Sequence, residues 1–325
     1  MYSERILLFR LFTTQKLKNY LNYSNSIMED YVLIANPISG KGKAKTVAEQ
    51  VQSTLKAEKQ IGELKLTTGT GDAKRFAKQA VSTGIKRVIV CGGDGTLHEV
   101  VNGIVGISDV TLGIVPCGRG NDLATAIGIP KKTHNAIQIL LAGNTKDIDL
   151  GVVYSEKGSK HYFTTITTCG YDTEVSKRAA SRETPFSGTA SYLYAAIATL
   201  SDFRCPHARI EGDFGIYEDK ILLAATGNTK SYGGGFKIVP SAQMDDGIFD
   251  VCIIHALPAF TILRLMVTLF WGGHVSHPAV EIHQTRKLTI QTDPPVMLYA
   301  DGEPMCETPA SIEIVKNGLK VLVPR

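Results

Sequence analysis

At 325 residues the chain is long enough for two domains, and 43% hydrophobic against 20% charged residues describes an ordinary globular protein. A formal net charge of +4 is too mild to argue for nucleic acid, so no such partner is expected; it favours an anionic ligand or a membrane surface. The six cysteines are scattered with no CxxC pair, which speaks against a metal or redox motif and for reduced, buried thiols in a cytoplasmic protein.

Residues 1–28 are an N-terminal extension, apolar and basic through Ile6, Leu7, Leu8, Phe9, Arg10, Leu11 and Phe12. Arg10 breaks the apolar run and no small-residue cleavage site follows, so a signal peptide is disfavoured. An extension without function, with Met28 as the start, reads better than an amphipathic membrane-touching helix. Residues 31–35 then form a first buried strand, and a helix spans about 44–56. The loop between them carries Asn36, Pro37, Ile38, Ser39, Gly40, Lys41 and Gly42. It lacks the GxxxxGK[ST] spacing of a Walker loop, and alone it reads as a basic surface loop. Residues 64–68 make a second strand ending at Thr68, and a helix covers 72–82.

The third unit is the most informative. Residues 88–91 are a short β-branched apolar run, followed by Gly92, Gly93, Asp94, Gly95, Thr96 and Leu97. The pattern is a buried strand, a glycine-rich turn and a helix to Ile104 capped by Thr96. The helix start offers free N–H groups and a positive dipole end, which suits phosphate. Gly-Gly alone fits a tight turn with no ligand; three glycines around an acid favour a nucleotide. A fourth strand, 111–115, ends in Pro116, Cys117, Gly118, Arg119, Gly120, Asn121 and Asp122, and two short helices run to residue 141. Four strands alternating with helices require a parallel sheet, and the loops at the strands' C-terminal ends form its ligand crevice. The expected fold is therefore α/β: a doubly wound parallel-sheet nucleotide domain over 29–148, then a β-rich, antiparallel, sandwich-like domain over 149–325.

In that second half the strand candidates are 150–154, 162–168, 208–210, 221–226, 248–254, 287–291, 296–299, 311–315 and 319–323, with helices at 173–180 and 189–202. Whether the last strands return to the first domain is open at this stage. Asp245, Asp246 and Gly247 before a strand read as a turn, although Asp246 with two carbonyls can hold a hard cation. Asp301, Gly302 and Glu303 read either as a turn or as a base with its orienting partner. Residues 258–273 are too short, and too interrupted by Arg264, to span a bilayer; a packed helix is favoured over a membrane-contacting face. HExxH, GxGxxG opening a helix, GxSxG and internal repeats are absent.

Together Asn36-Pro37-Ile38-Ser39-Gly40, Gly92-Gly93-Asp94-Gly95-Thr96, Pro116-Cys117-Gly118-Arg119-Gly120-Asn121-Asp122 and Asp301-Gly302-Glu303 resemble the diacylglycerol kinase catalytic family, in its soluble bacterial branch, over about residues 30–325. The resemblance implies ATP- and Mg2+-dependent phosphorylation of a lipid hydroxyl in a cleft between the two domains. It implies nucleotide contacts at Asn36, Pro37, Ile38, Ser39, Gly40, Thr68, Gly92, Gly93, Asp94, Gly95, Thr96 and Leu97, with Arg119 and Asn121 beside them. It implies Asp301 and Glu303 as catalytic acids, Glu303 being the usual proton acceptor, with Asp149 assisting. It turns the 245–247 turn into a structural magnesium site of Gln243, Asp246 and Ile248, Gln243 and Ile248 acting through carbonyls. Arg119 stands where the family usually has Thr. A lipid substrate at the membrane surface is the expected partner, and a homodimer is admitted. Two rivals stay open: an NAD kinase, which shares Gly-Gly-Asp-Gly-Thr, and a non-catalytic nucleotide- or lipid-binding protein of the same fold.

Overall fold

Runs such as residues 31–35 and 88–91 are apolar at every position, so they must be buried on both faces. The computed structural model, which describes residues 30–180 and 189–325, places them in the middle of a parallel sheet. Strand β1 (Tyr31–Ala35) lies between β2 (Gly62–Leu66) and β3 (Arg87–Gly92), and β3 pairs with β4 (Thr111–Pro116), all in parallel. The crossovers are α1 (Ala44–Ala57), α2 (Asp72–Ser82), α3 (Asp94–Ile104), and the pair α4 (Asp122–Ala126) and α5 (Thr133–Ala142). Helix α1 buries Ala44, Ala48, Val51 and Leu55, the single stripe expected of a helix packed on a sheet.

The chain then becomes antiparallel: β5 (Thr145–Ser155), β6 (Lys160–Phe163) and β7 (Ile166–Gly170) precede helices α6 (Tyr171–Ala180) and α7 (Thr189–Asp202). Strands β8 (His207–Gly212), β9 (Gly215–Gly227) and β10 (Phe249–His255) follow, then helix α8 (Ala259–Thr268). The chain closes with β11 (Val280–Thr285), β12 (Lys287–Asp293), β13 (Met297–Ala300), β14 (Glu303–Glu307) and β15 (Ala310–Leu322). At 13 residues β9 serves two layers: its first half pairs with β8, its second with β7 and β10. Phe163 and Phe249 stack between the layers at 5.8 Å, and a Cβ on Gly151 would meet the Phe163 ring at 2.0 Å. The fold class is thus the expected one.

Several elements differ from expectation for local reasons. The stretches 311–315 and 319–323 are one strand, β15, with a register break between Val315 and Leu319. Asn317 sits there at φ 51, its N–H donated to the Asp149 carboxylate at 2.7 Å. This strand runs antiparallel to β5 and, through Lys320 and Val321, parallel to β4, so the chain's end does return to the first sheet. The single strand expected over 162–168 is two, because Thr164 and Thr165 turn their N–H groups to Asp301 instead of to a ladder. Helix α3 begins at Asp94 with Gly93 as N-cap, so Thr96 is a buried third helical residue and not the cap. Strands β11 and β14 had no prediction. Residues 1–28, including the candidate amphipathic helix, lie outside the described residues. Among the described residues no helix is long and apolar enough to cross a membrane.

Candidate active site

The four loops at the C-terminal ends of β1–β4 meet, and backbone contact decides their sequence. A Cβ on Gly118 would lie 2.5 Å from the Cα of Gly93, and one on Gly40 2.6 Å from the Cys117 carbonyl oxygen. Three of the loops therefore touch main chain to main chain, which only glycine permits. Asn121, at φ 54, closes its own loop: Oδ1 accepts the Gly118 N–H at 2.7 Å and Nδ2 donates to the Gly118 carbonyl at 2.8 Å. Its side chain is consumed in this staple. Arg119 projects from it, exposed and without a partner among the described residues.

Asp94 heads α3 but is not a free ligand. Its Oδ2 accepts the Asn121 N–H at 2.8 Å and its Oδ1 the Asp122 N–H at 2.7 Å, so it caps the start of α4. Asp122 in turn accepts N–H groups from Gly233 and Gly234 at 2.8 and 3.0 Å, tying the glycine turn of the second half to the first. Burial and the neighbouring Asp94 charge push the Asp122 carboxyl up, against the pull of those two donors. Thr68 likewise spends its hydroxyl and N–H on Asp72, at 2.7 and 2.8 Å. Ile38 stands exposed, while Leu97 and Thr96 are buried.

Asp301 and Gly302, at φ 53 and 83, are the two-residue turn between β13 and β14, the conformation Asp-Gly favours in a hairpin. The turn points Asp301 back at the break between β6 and β7. Its carboxylate, 4% exposed, accepts the N–H groups of Thr164 and Thr165 at 3.0 and 2.8 Å and their hydroxyls at 3.3 and 2.7 Å. It also meets His98 Nδ1 at 3.1 Å. Burial alone would raise the carboxyl, but His98 and the threonine donors hold it below the usual range. The imidazole is raised by the same contact, against its own burial. Asp94, Asp122, Asp301, Thr164 and Thr165 line one partly open space of about 10 Å³, room for a single water.

Glu303 is different. It sits at the exposed first residue of β14 and accepts no hydrogen bond among the described residues, and a Cβ on Gly95 would lie 2.6 Å from its Oε1. Partial burial and the charges of Glu99 and Asp301 raise its carboxyl above the ordinary glutamate value, with His98 opposing. An acceptor with a raised pKa, facing the first turn of α3, is what proton abstraction beside a phosphate loop calls for.

Asp149 stands apart. Fully buried in β5, it accepts N–H groups from Gly247 and Asn317, each at 2.7 Å, and its carbonyl accepts from Asn228 Nδ2. It braces the 244–247 loop and the β15 bulge, and reaches Asp301 only through Asn228 and Thr164. In that loop Asp246 Oδ1 accepts the Ile248 N–H at 3.0 Å, leaving one carboxylate oxygen and the Gln243 and Ile248 carbonyls as hard donors. Asp250, just beyond, has Oδ1 on Ser241 and a buried Oδ2 without a partner. Oxygen-only donors and an orphaned carboxylate oxygen suit Mg2+. Among the described residues, this loop included, no three His, Cys, Asp or Glu side chains are placed to hold a metal.

His98, Thr164 and Thr165 were not singled out by sequence; Asp122 was legible as the last residue of its motif, and Gly233 and Gly234 as a glycine run that could carry chemistry, though not as partners of Asp122. These contacts join residues 111 to 203 positions apart, and no local spacing betrays them.

Comparison with known proteins bears on the family and the fold. The diacylglycerol kinase catalytic domain model matches residues 30–153, and the YegS C-terminal NAD kinase beta sandwich-like domain matches 165–323. A diacylglycerol kinase of Mycobacterium tuberculosis is 36% identical over 297 residues, covering 90% of this chain and 94% of its own. One from Staphylococcus carnosus is 31% identical over 296 residues, covering 90% and 94%. The crystal structure of a diacylglycerol kinase from Bacillus anthracis superposes with a TM-score of 0.71 at 21% identity, over 92% of this chain and 98% of that one. A yeast NADH kinase complexed with NADH shares the fold more distantly, with a TM-score of 0.51 at 10% identity over 91% and 84% of the two chains.

Proposed function

The chain belongs to the diacylglycerol kinase catalytic family and is a kinase, a phosphotransferase to an alcohol group; from that premise we propose that it moves the γ-phosphate of ATP to the free hydroxyl of diacylglycerol, with Mg2+. The observation that carries the reading is the contrast between Asp301, engaged by five donors, and Glu303, engaged by none and raised in pKa, one residue apart across a hairpin turn.

In this reading the loops of Asn36–Gly40 and Gly92–Leu97 take the nucleotide, with the N-terminal N–H groups of α3 facing its phosphates. Lys41 and Arg119, at the tips of their loops, supply positive charge. Asp301 fixes the hairpin so that Glu303 is aimed, and Glu303 accepts the proton of the lipid hydroxyl as it attacks. A positioned base of this kind is worth about 10²–10⁴-fold. Bound Mg2+ neutralises charge developing on the phosphate oxygens. A second Mg2+ on Gln243, Asp246 and Ile248 would hold the 241–250 loop that Asp149 braces.

The test is labelled-phosphate transfer from ATP and Mg2+ into diacylglycerol in mixed micelles, beside phosphatidylglycerol, a sphingoid base and NAD. Label in diacylglycerol, abolished by Glu303→Gln, is the expected result. Label in NAD would move the chain to the NAD kinase reading, and ATP binding with no label anywhere would leave a binding protein.

A further inference from the structure

Helix α8 packs on the second half through the buried Ile262 and Leu265, with Met266 and, just past its end, Leu269 partly buried beside them. Its other side leaves Phe260 64%, Val267 56%, Phe270 58% and Trp271 61% exposed, with Leu263 and Val275 also open to solvent. Positions 260, 263 and 267 recur at helical spacing along the helix, and Phe270 and Trp271 follow in the turn that closes it, their N–H groups donated to Val267 and Thr268. Scattered exposed apolar residues need no explanation, but a contiguous aromatic stripe does.

The segment that carries these residues holds no acid. From residue 251 to residue 280 there is no Asp or Glu, in a chain with 31 of them. Arg264 sits within the helix with its guanidinium over the Phe260 ring at 4.3 Å. The stripe is also joined to the site. Phe270 packs on Phe236 at 4.8 Å, and Phe236 closes the turn whose Gly233 and Gly234 hold Asp122.

We propose that the outer face of α8 with Phe270 and Trp271 is the surface by which this kinase lies on an anionic phospholipid bilayer. The inference rests on the lipid-kinase reading: a substrate whose acyl chains stay in a bilayer must be met there, and an acid-free aromatic face with an arginine fits that interface. A tryptophan at its edge sits where indole rings prefer to be, at headgroup depth.

Trp271 is the chain's only tryptophan, so it reports this contact without ambiguity. The full chain is mixed with vesicles of phosphatidylglycerol and phosphatidylcholine that contain no diacylglycerol. The expected outcome is co-sedimentation, a blue shift of Trp271 emission and its quenching by acyl-brominated lipid. The double variant Phe260→Glu, Val267→Glu should lose about tenfold or more in vesicle partitioning. It should keep its turnover of monomeric dioctanoylglycerol within about twofold, since neither residue is near the acids of the site. Vesicle binding with unshifted, unquenched Trp271 overturns the proposal, as does undiminished binding by the double variant. So does absence of vesicle binding with a dimer that the double variant dissolves, which would assign the face to a second copy. Trp271 quenching by vesicles from a chain that phosphorylates no diacylglycerol would sink the substrate assignment and leave the surface standing.

Discussion

Asp301 and Glu303 make opposite predictions although both are acids of the same hairpin. Replacing Asp301 by Asn keeps the turn, because Asn tolerates the left-handed φ of 53 as well as Asp does. One amide oxygen can still accept from Thr165 N–H and its hydroxyl. The NH2 then faces the Thr164 N–H, 3.0 Å away in the native site, and that donor keeps only its longer 3.2 Å contact to the retained oxygen. A buried N–H left against another donor costs about 1–3 kcal/mol. Losing the charge on the Thr165 and His98 contacts adds a comparable amount, so Asp301→Asn should destabilise by roughly 2–4 kcal/mol. Glu303→Gln breaks no hydrogen bond and removes a charge that Glu99 and Asp301 repel, so stability should hold or rise slightly. Urea denaturation and labelled-phosphate turnover, measured on both variants, separate frame from base. Asp301→Asn should lose stability and activity together; Glu303→Gln should lose about 10²–10⁴-fold in kcat with an unchanged midpoint. Asp301 also carries a pH signature. Its depressed carboxyl contributes stability that is present above the unfolded value near 3.9 and lost as pH falls through the lower folded value, a limb Asp301→Asn should abolish. If Asp301→Asn unfolds at the wild-type urea concentration, or Glu303→Gln retains turnover within a few-fold, the division of labour is wrong.

Gly118→Ala places a methyl 2.5 Å from the Gly93 Cα, and neither backbone can swing aside, so the two phosphate loops must part. Nucleotide affinity should drop about tenfold or more with roughly 1–3 kcal/mol of stability, read by ATP titration and urea midpoint; unchanged affinity would show that the loops do not act together. Asp172 is pushed up to about 6 by burial, with Oδ1 unpartnered and Oδ2 on the Tyr232 hydroxyl at 3.1 Å. A raised acid binds its proton more tightly folded than unfolded, so stability should fall by about 2–3 kcal/mol as pH climbs from 4 to 7. Asp172→Asn should flatten that slope, and an equal slope in both proteins counts against it. The Cys117 thiol is lowered by its contact with Cys91, Sγ to Sγ 3.3 Å, and is the less buried of the two. A small thiol reagent on the native protein should label Cys117 first and reach Cys91, Cys169 and Cys252 only on unfolding, as peptide mapping would show.

The first domain was legible because its strands are buried on both faces. Residues 31–35 and 72–82 emerged with the bounds the pattern predicts, since continuous apolar runs and a marked helical stripe leave little choice. The second half was legible only in kind. The sequence of 162–168 has strand propensity throughout, and what breaks it at Thr164 is a carboxylate 137 residues away. The stretches 311–315 and 319–323 look separate because Asn317 and Gly318 mark a turn; the Asp149 carboxylate instead absorbs them into a bulge. The glycine loops of the site could be read because each glycine answers a local need. His98 could not, since a histidine inside a buried helix face carries no sign of the aspartate it meets 203 residues later.

What the site does with its acids follows from where their hydrogen bonds go. Asp94 holds the start of α4, Asp122 holds the Gly233–Gly234 turn, and Asp301 holds the break between β6 and β7. Each carboxylate therefore ties one segment of the site to the next, and each accepts main-chain N–H groups, Asp301 taking two threonine hydroxyls and His98 in addition. That keeps three negative charges around a space of about 10 Å³ without filling it with a cationic side chain. It also leaves the positive groups, Lys41 and Arg119, outward on the loops where a phosphate arrives. Arg119 in particular lies within the Asn121-stapled loop, so a guanidinium can move there while the loop stays fixed. On the proposed reading the base for the lipid hydroxyl is the carboxylate that this clamping leaves over, which among Asp94, Asp122, Asp301 and Glu303 is Glu303.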